Sequence, residues 1–227
     1  DREAIVKLVI NDRARIARGA LPPGIMGYNP KLRGYSYDLA KARTLLAEAG
    51  YPGGKGFPEI TLEVNRDEIH IRTAEFVLAN LRDIGISCRM KVVDFPELLA
   101  DVQNGRTPFF RMGFTVDYPD PDNFLYSLFH SGNIGPAGNY SRYANPRVDE
   151  LLDRARFEID AKERVALYRD AEQLIVDDAP LVFVFHYTTH GIWQPYVHGM
   201  KVTPMGTPYI AYRQLWLSSP TARLPGK

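Results

Sequence analysis

The 227-residue sequence predicts an α/β fold in which a mostly parallel sheet is covered by helices. Strand and helix patterns alternate between residues 60 and 116, in the order strand, helix, strand, helix, strand. The connections between them are short, which favours right-handed crossovers and parallel neighbouring strands. A content of 45% hydrophobic and 24% charged residues is typical of a globular chain that is long enough to bury a sizeable core.

The first fifth of the chain combines a helix pattern, an irregular segment and a capped helix. Residues 1–11 carry apolar side chains at helical spacing. Residues 19–37 contain three prolines and four glycines without periodicity, and we expect them to wrap over the surface. Asp38 is placed to cap a helix over residues 39–49, which Gly50 ends.

The central region carries the alternating elements. Strands are predicted from alternating apolar and polar residues, and helices from apolar residues at helical spacing. Asp94 with Glu97 three residues later predicts a capping box at the start of the second helix. We expect strands at residues 60–64, 86–93 and 109–116, and helices at 68–83 and 95–104.

The C-terminal part predicts two further helices, over residues 146–158 and 161–177, and Asp160 is placed to cap the second. Residues 181–193 are rich in β-branched and aromatic side chains and predict a buried strand or hairpin. The last thirty residues lose the periodicity, and we expect extended segments there.

Composition excludes several classes of function. The formal net charge is +1 and the basic residues are scattered, so we expect no nucleic-acid partner. The longest apolar runs, such as residues 181–185, fall far short of the ~20 residues that cross a bilayer. Cys88 is the only cysteine, which excludes an internal disulfide. The chain starts with Asp1 rather than Met, so we expect a processed or truncated N-terminus.

Three aspartates lie close together in FTVDYPDPDNF, residues 114–124. Asp120 is placed to cap a helix that begins at Pro121, and Asp122 would face the positive end of the helix dipole. Asp117 comes too early to cap that helix. It lies at the carboxyl end of a predicted strand, where open α/β sheets bind ligands. Its carboxylate is suited to an ammonium group, and the alternative is an aspartate hydrogen-bonded within a turn.

Arg111 precedes Asp117 by six residues, and strand alternation places both on one face. Extended geometry at ~3.3 Å per residue separates them by up to ~20 Å, which suits a zwitterion several bonds long. The alternative is that Arg111 pairs with a neighbouring acid. Aromatic residues near the acids, Phe114, Tyr118 and Tyr140 among them, belong either to the core or to flat walls of a cleft.

Neither a metal or cofactor site nor catalysis is expected. His186 and His190 have a suggestive spacing, but they fall in a predicted strand or hairpin rather than in a helix with an intervening glutamate. The sequence lacks a nucleophile elbow, a phosphate-binding loop and a dinucleotide fingerprint. One strand-end acid with two helix-cap acids matches a glycosidase pair poorly. A hydrolase that uses Asp117 with Asp120 or Asp122 is kept as the alternative function.

Five motifs in order over most of the chain resemble the family-5 bacterial extracellular solute-binding proteins, the dipeptide and oligopeptide receptors of ABC importers. They occupy residues 35–54, 114–131, 139–155, 163–186 and 197–206. The resemblance implies a type II periplasmic-binding-protein fold, in a two-lobed receptor about twice as long as this chain. Residues 1–196 would form the C-terminal ligand-binding lobe, and residues 197–227 a hinge segment returning toward an N-terminal lobe.

The resemblance also implies roles for individual residues. In peptide-binding members the aspartate that matches Asp117 pairs with the ligand's α-amino group. The usual tryptophan of that motif is replaced here by Phe114, and Arg111 matches a position that meets the ligand's carboxylate in some members. Asn139 and Tyr140 match a segment that lines the cleft, and we include Tyr118 among the ligand-binding candidates.

The resemblance further implies a peptide or another cationic or zwitterionic solute as ligand, and an ABC permease as partner. The location would be periplasmic or extracellular, with a lipid anchor as an option for the full-length protein. A third alternative is an interaction lobe without a ligand of its own. Since this chain would offer half a cleft, we predict that it binds solutes weakly by itself.

Overall fold

The computed structural model describes residues 1–203, 206 and 211–218. Its α-helices are α1 (Arg2–Leu8), α2 (Leu39–Glu48), α3 (Glu68–Asp83), α4 (Phe95–Gln103), α5 (Pro121–Phe129), α6 (Pro146–Phe157) and α7 (Ala161–Asp178). Its strands are β1 (Ala14–Ile16), β2 (Ile60–Asn65), β3 (Cys88–Val93), β4 (Phe110–Arg111), β5 (Phe185–Tyr187), β6 (Val197–His198) and β7 (Trp216–Leu217). The predicted α/β class is confirmed.

The central sheet has the order β3, β2, β4, and both neighbours run parallel to β2. The carboxyl ends of its strands therefore lie at one edge. The third strand was predicted too long, because β4 spans two residues instead of 109–116. Phe110 and Met112 pack with α4, whereas Val116 belongs to the core of α5 to α7. The apolar residues of segment 109–116 are therefore buried in two different cores, although their spacing resembles that of a single strand.

Helices α3 and α4 pack beside the sheet, and each has its own small core. The capping box predicted at α4 is not formed. Asp94 occupies the N-cap position without a side-chain cap hydrogen bond, and its carboxylate lies 3.2 Å from the Arg66 guanidinium. Glu97 instead lies 3.4 Å from the Lys91 ammonium. Ion pairs with neighbouring elements have replaced the local cap.

Helices α5, α6 and α7 pack around a second, larger core, in which Phe129 and Tyr168 are fully buried. The predicted caps at the starts of α5 and α7 are present. Asp120 accepts the N–H of Asp122 at 2.9 Å, and Asp160 accepts the N–H groups of the second and third helical residues of α7. These caps fix the direction in which the chain enters each helix.

The predicted surface wrap over residues 19–37 forms no helix or strand, and it is firmly docked on the molecule. Leu21, Ile25 and Leu32 are buried. The Arg169 side chain donates to the carbonyl of Gly27 at 3.1 Å. An irregular backbone is stable here because α7 supplies partners for its polar groups.

The strand predicted at 181–193 is shorter and differently paired than expected. Only Phe185–Tyr187 forms a strand, and it pairs antiparallel with Ala14–Ile16 rather than folding back as a hairpin. Val182 is 78% exposed, so the segment is not a buried core strand. Near the C-terminal end β6 pairs with β7, also antiparallel.

The proposed division into residues 1–196 and 197–227 stays a prediction, and residues 204–205, 207–210 and 219–227 of the second part lie outside the described residues. None of the helices in the described part of the chain combines the length and the apolar character required to cross a membrane.

Candidate ligand-binding site

Asp117 lies in a loop that leaves the carboxyl end of β4 and enters α5. The residue is exposed, and its backbone N–H donates to Oδ1 of Asn123 at 2.8 Å. Within the described residues, no hydrogen bond or ion pair engages the Asp117 carboxylate. The structure therefore shows an exposed, uncommitted carboxylate in the loop beyond the sheet edge where the sequence predicted a ligand group.

The other two acids of the motif, Asp120 and Asp122, form ion pairs with arginines of the neighbouring helices. The Asp120 carboxylate forms two hydrogen bonds with the Arg164 guanidinium, at 2.8 and 3.0 Å. Burial alone would raise the pKa of Asp120, but the hydrogen bonds from Arg164 and from the Asp122 backbone lower it overall. Asp122 lies 3.2 Å from the Arg156 guanidinium. The predicted cap and dipole roles are thus extended by two ion pairs that join α5 to α6 and α7.

The side chain of Tyr118 contacts one of these two ion pairs. Its hydroxyl donates to Oδ2 of Asp122 at 2.8 Å, and the residue is 44% exposed. Burial, followed by this hydrogen bond, raises the pKa of the Tyr118 hydroxyl. An open crevice of about 310 Å³ borders Tyr118, and the paired acids and arginines line the rest of it. Asp120 and Asp122 are each paired with an arginine of the crevice wall. Of the three acids of the motif, Asp117 is therefore the one without an ion-pair partner among the described residues.

Phe114 presents an aromatic surface near the start of this loop. It is 43% exposed, and its ring makes an edge contact with Phe124 at a centroid distance of 5.5 Å. One part of the ring is therefore anchored on α5, while the rest is open to solvent. An aromatic surface of this kind can cover the apolar part of a small ligand.

Arg111 is half-buried between the start of α3 and β5. Its guanidinium carbon lies 5.6 Å from the centre of the Phe185 ring. Burial is the main cause that lowers the pKa of Arg111, and the interaction with Tyr187, which includes a hydrogen bond, and the charge of Asp67 oppose it. Nε and Nη1 of Arg111 are buried without a hydrogen-bond partner in the described structure. The alternative of a direct ion pair with a neighbouring acid is not observed among the described residues, and these two donors are unpaired but enclosed by the chain itself.

His70 shares this environment. Burial, and then the charge of Arg111, lower its pKa to about 4 although Asp67 acts in the opposite direction. Its Nδ1 contacts the side-chain oxygen of Asn65, the last residue of β2. At neutral pH His70 is therefore uncharged. The positive charge that His70 and Arg111 together carry is then that of Arg111 alone.

Asn139 and Tyr140 are less open than the resemblance implied. Asn139 is fully buried: its amide donates to the carbonyls of His130 and Tyr143, at 3.1 and 2.8 Å. Its Oδ1 accepts from the Ser141 hydroxyl and from the Tyr143 N–H. Tyr140 packs partly buried against the core beneath α4. Asn139 braces its loop, and this geometry does not support a direct ligand contact by its amide; both residues stay predictions as ligand groups.

The sequence analysis did not single out Arg66 or Asn123, which both lie near this edge of the sheet. Arg66 directly follows the last residue of β2, and Asp94 directly follows β3, where the two form an exposed ion pair. Asn123 holds the Asp117 loop from within α5. The position of Arg66 after a strand could have marked it, whereas nothing in the sequence spacing indicates that Asn123 reaches backward by six residues.

One group of acids has the composition of a metal site. Glu63, Glu97 and Asp101 bring one carboxylate oxygen each within 4.8 Å of one another. The Lys91 ammonium lies 3.2, 3.4 and 3.7 Å from these three carboxylates. The hydrogen bond to Glu63 is the main cause that raises the pKa of Lys91. Lys91 thus occupies the place between the three carboxylates and offsets part of their charge, and Arg106 pairs with Asp101 as well.

The comparisons with known proteins identify the family of this chain. Residues 1–136 match the bacterial extracellular solute-binding proteins, family 5, Middle region. The chain belongs to this family, as the five motifs predicted.

The chain is similar to receptors with different ligands in their names. It is 31% identical over 208 residues to the dipeptide-binding protein of Escherichia coli, covering 91% of this chain and 39% of that protein. It is 33% identical to the heme-binding protein A of Haemophilus influenzae, covering 91% and 38%. The chain thus spans about two-fifths of the length of these relatives. They are longer than the receptor of about twice this chain's length that the resemblance implied.

A solved structure confirms the fold. The periplasmic binding protein DppA of Helicobacter pylori in complex with the peptide STSA superposes with a TM-score of 0.80 at 30% identity. The match covers 96% of this chain and 42% of that protein. The predicted type II periplasmic-binding-protein architecture is therefore the fold of this chain.

Proposed function

We propose that this chain is the ligand-binding lobe of the substrate-binding component of an ABC importer. Its ligand is a peptide or a similar cationic or zwitterionic solute, held in a cleft that a second lobe closes. The observation that carries the proposal is the Asp117 carboxylate, which is exposed and unpaired in the described structure and lies beyond the sheet's carboxyl edge. The names of the E. coli and H. pylori relatives support a peptide ligand.

The binding step requires no chemistry from the protein. When a second lobe removes water, the Asp117 carboxylate attracts the ligand's ammonium more strongly than an exposed ion pair would. The desolvation of both charges opposes this gain, so close geometry and further hydrogen bonds are needed to offset it. Phe114 supplies an apolar wall, and water in the side-chain pockets would allow different ligand side chains.

Arg111 is proposed as the partner of the ligand's carboxylate. Its buried Nε and Nη1 groups have no partner in the described residues, and a buried donor without a partner is unfavourable. If the side chain turned to expose these groups, a ligand carboxylate would satisfy both in the bidentate arrangement that arginine favours. A zwitterion would then be held at its two ends by Asp117 and Arg111.

The hydrolase alternative finds less support in the geometry. It requires Asp117 to act with Asp120 or Asp122, but both of those carboxylates are paired with arginines of α6 and α7. A general acid needs a raised pKa, whereas the pKa of Asp120 is lowered. The family consists of solute-binding proteins, and the permease partner and the periplasmic or lipid-anchored location belong to the same proposal.

The test is calorimetric titration of dipeptides and of the peptide STSA into the complete gene product and its Asp117→Asn variant. We expect the variant to bind at least ~10-fold more weakly, since it loses a charge-assisted pair of roughly 1.5–3 kcal/mol. Asp170→Asn, at an exposed aspartate of α7, is the matched control. Equal affinity of wild type and Asp117→Asn would contradict the proposal. Peptide turnover that is abolished in Asp117→Asn would favour the hydrolase.

A further inference from the structure

The side chain of Asn123 reaches from α5 into the loop that carries Asp117. Asn123 lies in the first helical turn and is 4% exposed. Its Oδ1 accepts the backbone N–H of Asp117 at 2.8 Å, while its own N–H donates to the carbonyl of Asp120 at 3.1 Å. A buried amide therefore fixes the backbone from which the exposed carboxylate projects.

The loop is tied to α5 at a second point. The Tyr118 hydroxyl donates to Oδ2 of Asp122, which lies in the first turn of the helix, at 2.8 Å. Two consecutive residues of the loop, Asp117 and Tyr118, are therefore each hydrogen-bonded to a side chain of α5, and within the described residues only Asn123 holds the backbone of Asp117.

The helix that carries Asn123 is itself anchored. Asp120 at its N-cap is held by two hydrogen bonds from Arg164 of α7, and Asp122 pairs with Arg156 of α6. A loop tied to an anchored helix loses little conformational freedom when a ligand binds, because it is already ordered.

We infer that Asn123 is the positioning residue of the candidate site. It does not touch the ligand, and it holds the Asp117 loop in the conformation that presents the carboxylate to an ammonium group. This inference rests on the proposed function, since it assigns the residue that makes Asp117 effective. Nothing in the ion pairs around Asp120 can replace it, because they act on α5 and not on the backbone of Asp117.

The test compares each of two peptides, STSA and Ala-Phe, with its N-acetylated form, which lacks the ammonium group. Affinities are measured for the complete gene product and its Asn123→Ala and Asp117→Asn variants. We expect Asn123→Ala to weaken the free-amine peptides about 5- to 10-fold. The acetylated peptides should change by less than about twofold, since they do not use Asp117. Asn123→Asp keeps the Oδ1 acceptor and should restore most of the free-amine affinity.

Two further variants separate positioning from folding. Asn145→Ala removes the asparagine that caps α6, whose Oδ1 accepts the backbone N–H of Arg147 at 2.9 Å, and should leave the affinities unchanged. Asn123→Gln keeps the amide but moves it by one methylene, and the same criteria apply to it if Asn123→Ala does not fold.

The outcomes distinguish the two claims. If wild type does not prefer free-amine peptides, or if Asp117→Asn keeps that preference, the proposed function fails and this inference fails with it. If Asp117→Asn loses the preference while folded Asn123→Ala keeps it, the positioning role alone is wrong. Equal weakening of free-amine and acetylated peptides by Asn123→Ala would also overturn the positioning role, because it would indicate a general structural effect.

Discussion

The guanidinium of Arg164 on α7 and the carboxylate of Asp120 at the start of α5 form two hydrogen bonds, at 2.8 and 3.0 Å. Their side chains are 21% and 30% exposed, so water competes only partly for these groups. The pair fixes the base of the candidate site to the core that α5, α6 and α7 share. A site that must hold a charged ligand in one orientation benefits from such an anchored base.

Arg164→Met should destabilise the fold by roughly 2 kcal/mol, because it leaves a partly buried carboxylate with fewer donors. Urea denaturation monitored by circular dichroism measures this change. Arg154→Met is the matched control: that arginine is 58% exposed and lies 3.7 Å from Glu150, so its loss should change stability by less than about 0.5 kcal/mol. Equal effects of the two substitutions would contradict the anchoring role.

The buried carboxyl of Glu172 should make stability depend on pH. Its Oε1 accepts the N–H of Leu21 at 2.8 Å, and burial raises its pKa to about 7 from an ordinary value of 4.5. Between these two values the folded state keeps a proton that the unfolded chain has released. Its contribution to stability is therefore complete below pH 4.5 and is lost as pH rises to about 7.

Glu172→Gln should remove this dependence, since glutamine keeps an acceptor for Leu21 but does not titrate. Wild type should lose roughly 2–3 kcal/mol of unfolding free energy through Glu172 between pH 4.5 and 8. Denaturant melts of both proteins across this range give the difference directly. The exposed Glu75→Gln is the control and should follow wild type. Parallel pH profiles of wild type and Glu172→Gln would show that the prediction is wrong.

His186 should act with the opposite sign. Burial lowers its pKa to about 4 from 6.5, although a hydrogen bond with the Gly19 backbone raises it slightly. Above pH 6.5 its contribution is present, and it is lost as pH falls toward 4 because the unfolded chain takes up the proton first. His186→Gln should lose less stability than wild type between pH 6.5 and 4.5. Exposed His190→Gln should not differ from wild type in this respect.

Ala179 ends α7 in a left-handed conformation, with φ 52° and ψ 45°. This conformation is unfavourable for a residue with a Cβ atom and is common for glycine. Ala179→Gly should therefore stabilise the protein by about 0.5 kcal/mol, despite the greater freedom of glycine in the unfolded chain. Ala166→Gly, in the exposed interior of the same helix, should destabilise by about 1 kcal/mol. Thermal melts that give both changes the same sign would contradict this prediction.

Asn139→Ala should reduce stability by roughly 2–4 kcal/mol, because it leaves the carbonyls of His130 and Tyr143 and the Tyr143 N–H without their buried partners. Once folded at low temperature, the variant should bind peptides with little change in affinity. Denaturation and calorimetry on the same preparation separate the two effects. A large loss of affinity with unchanged stability would restore Asn139 as a direct ligand group.

The helices and their caps could be predicted from the sequence because their signals are local. Asp38 and Asp160 each accept backbone N–H groups at the start of the helix that they were expected to cap. The cap at Asp94 failed because Arg66, distant in the sequence, competes for the same carboxylate. The third strand failed for a similar reason, since Val116 packs into a core formed by later helices. Local patterns do not show which distant partner will be present.

In the candidate site, too, local features could be predicted from the sequence and features that depend on distant partners could not. The exposed position of Asp117 could be predicted, because an acid after a strand and before a capped helix has no local partner, while its role as a ligand group stays a prediction. The burial of Asn139 could not, since its four hydrogen bonds depend on how the loop after α5 closes on itself. Arg111 was expected on an extended strand beside Asp117, but the chain leaves the sheet directly after it.

The pairing of Ala14–Ile16 with Phe185–Tyr187 means that the polypeptide leaves this folded unit next to where it entered. Antiparallel neighbours are ~4.8 Å apart, so residues 17–184 form a cassette closed at its base by a two-stranded stem. The two ends of this unit therefore lie close together, an arrangement that is common in domains inserted into another chain.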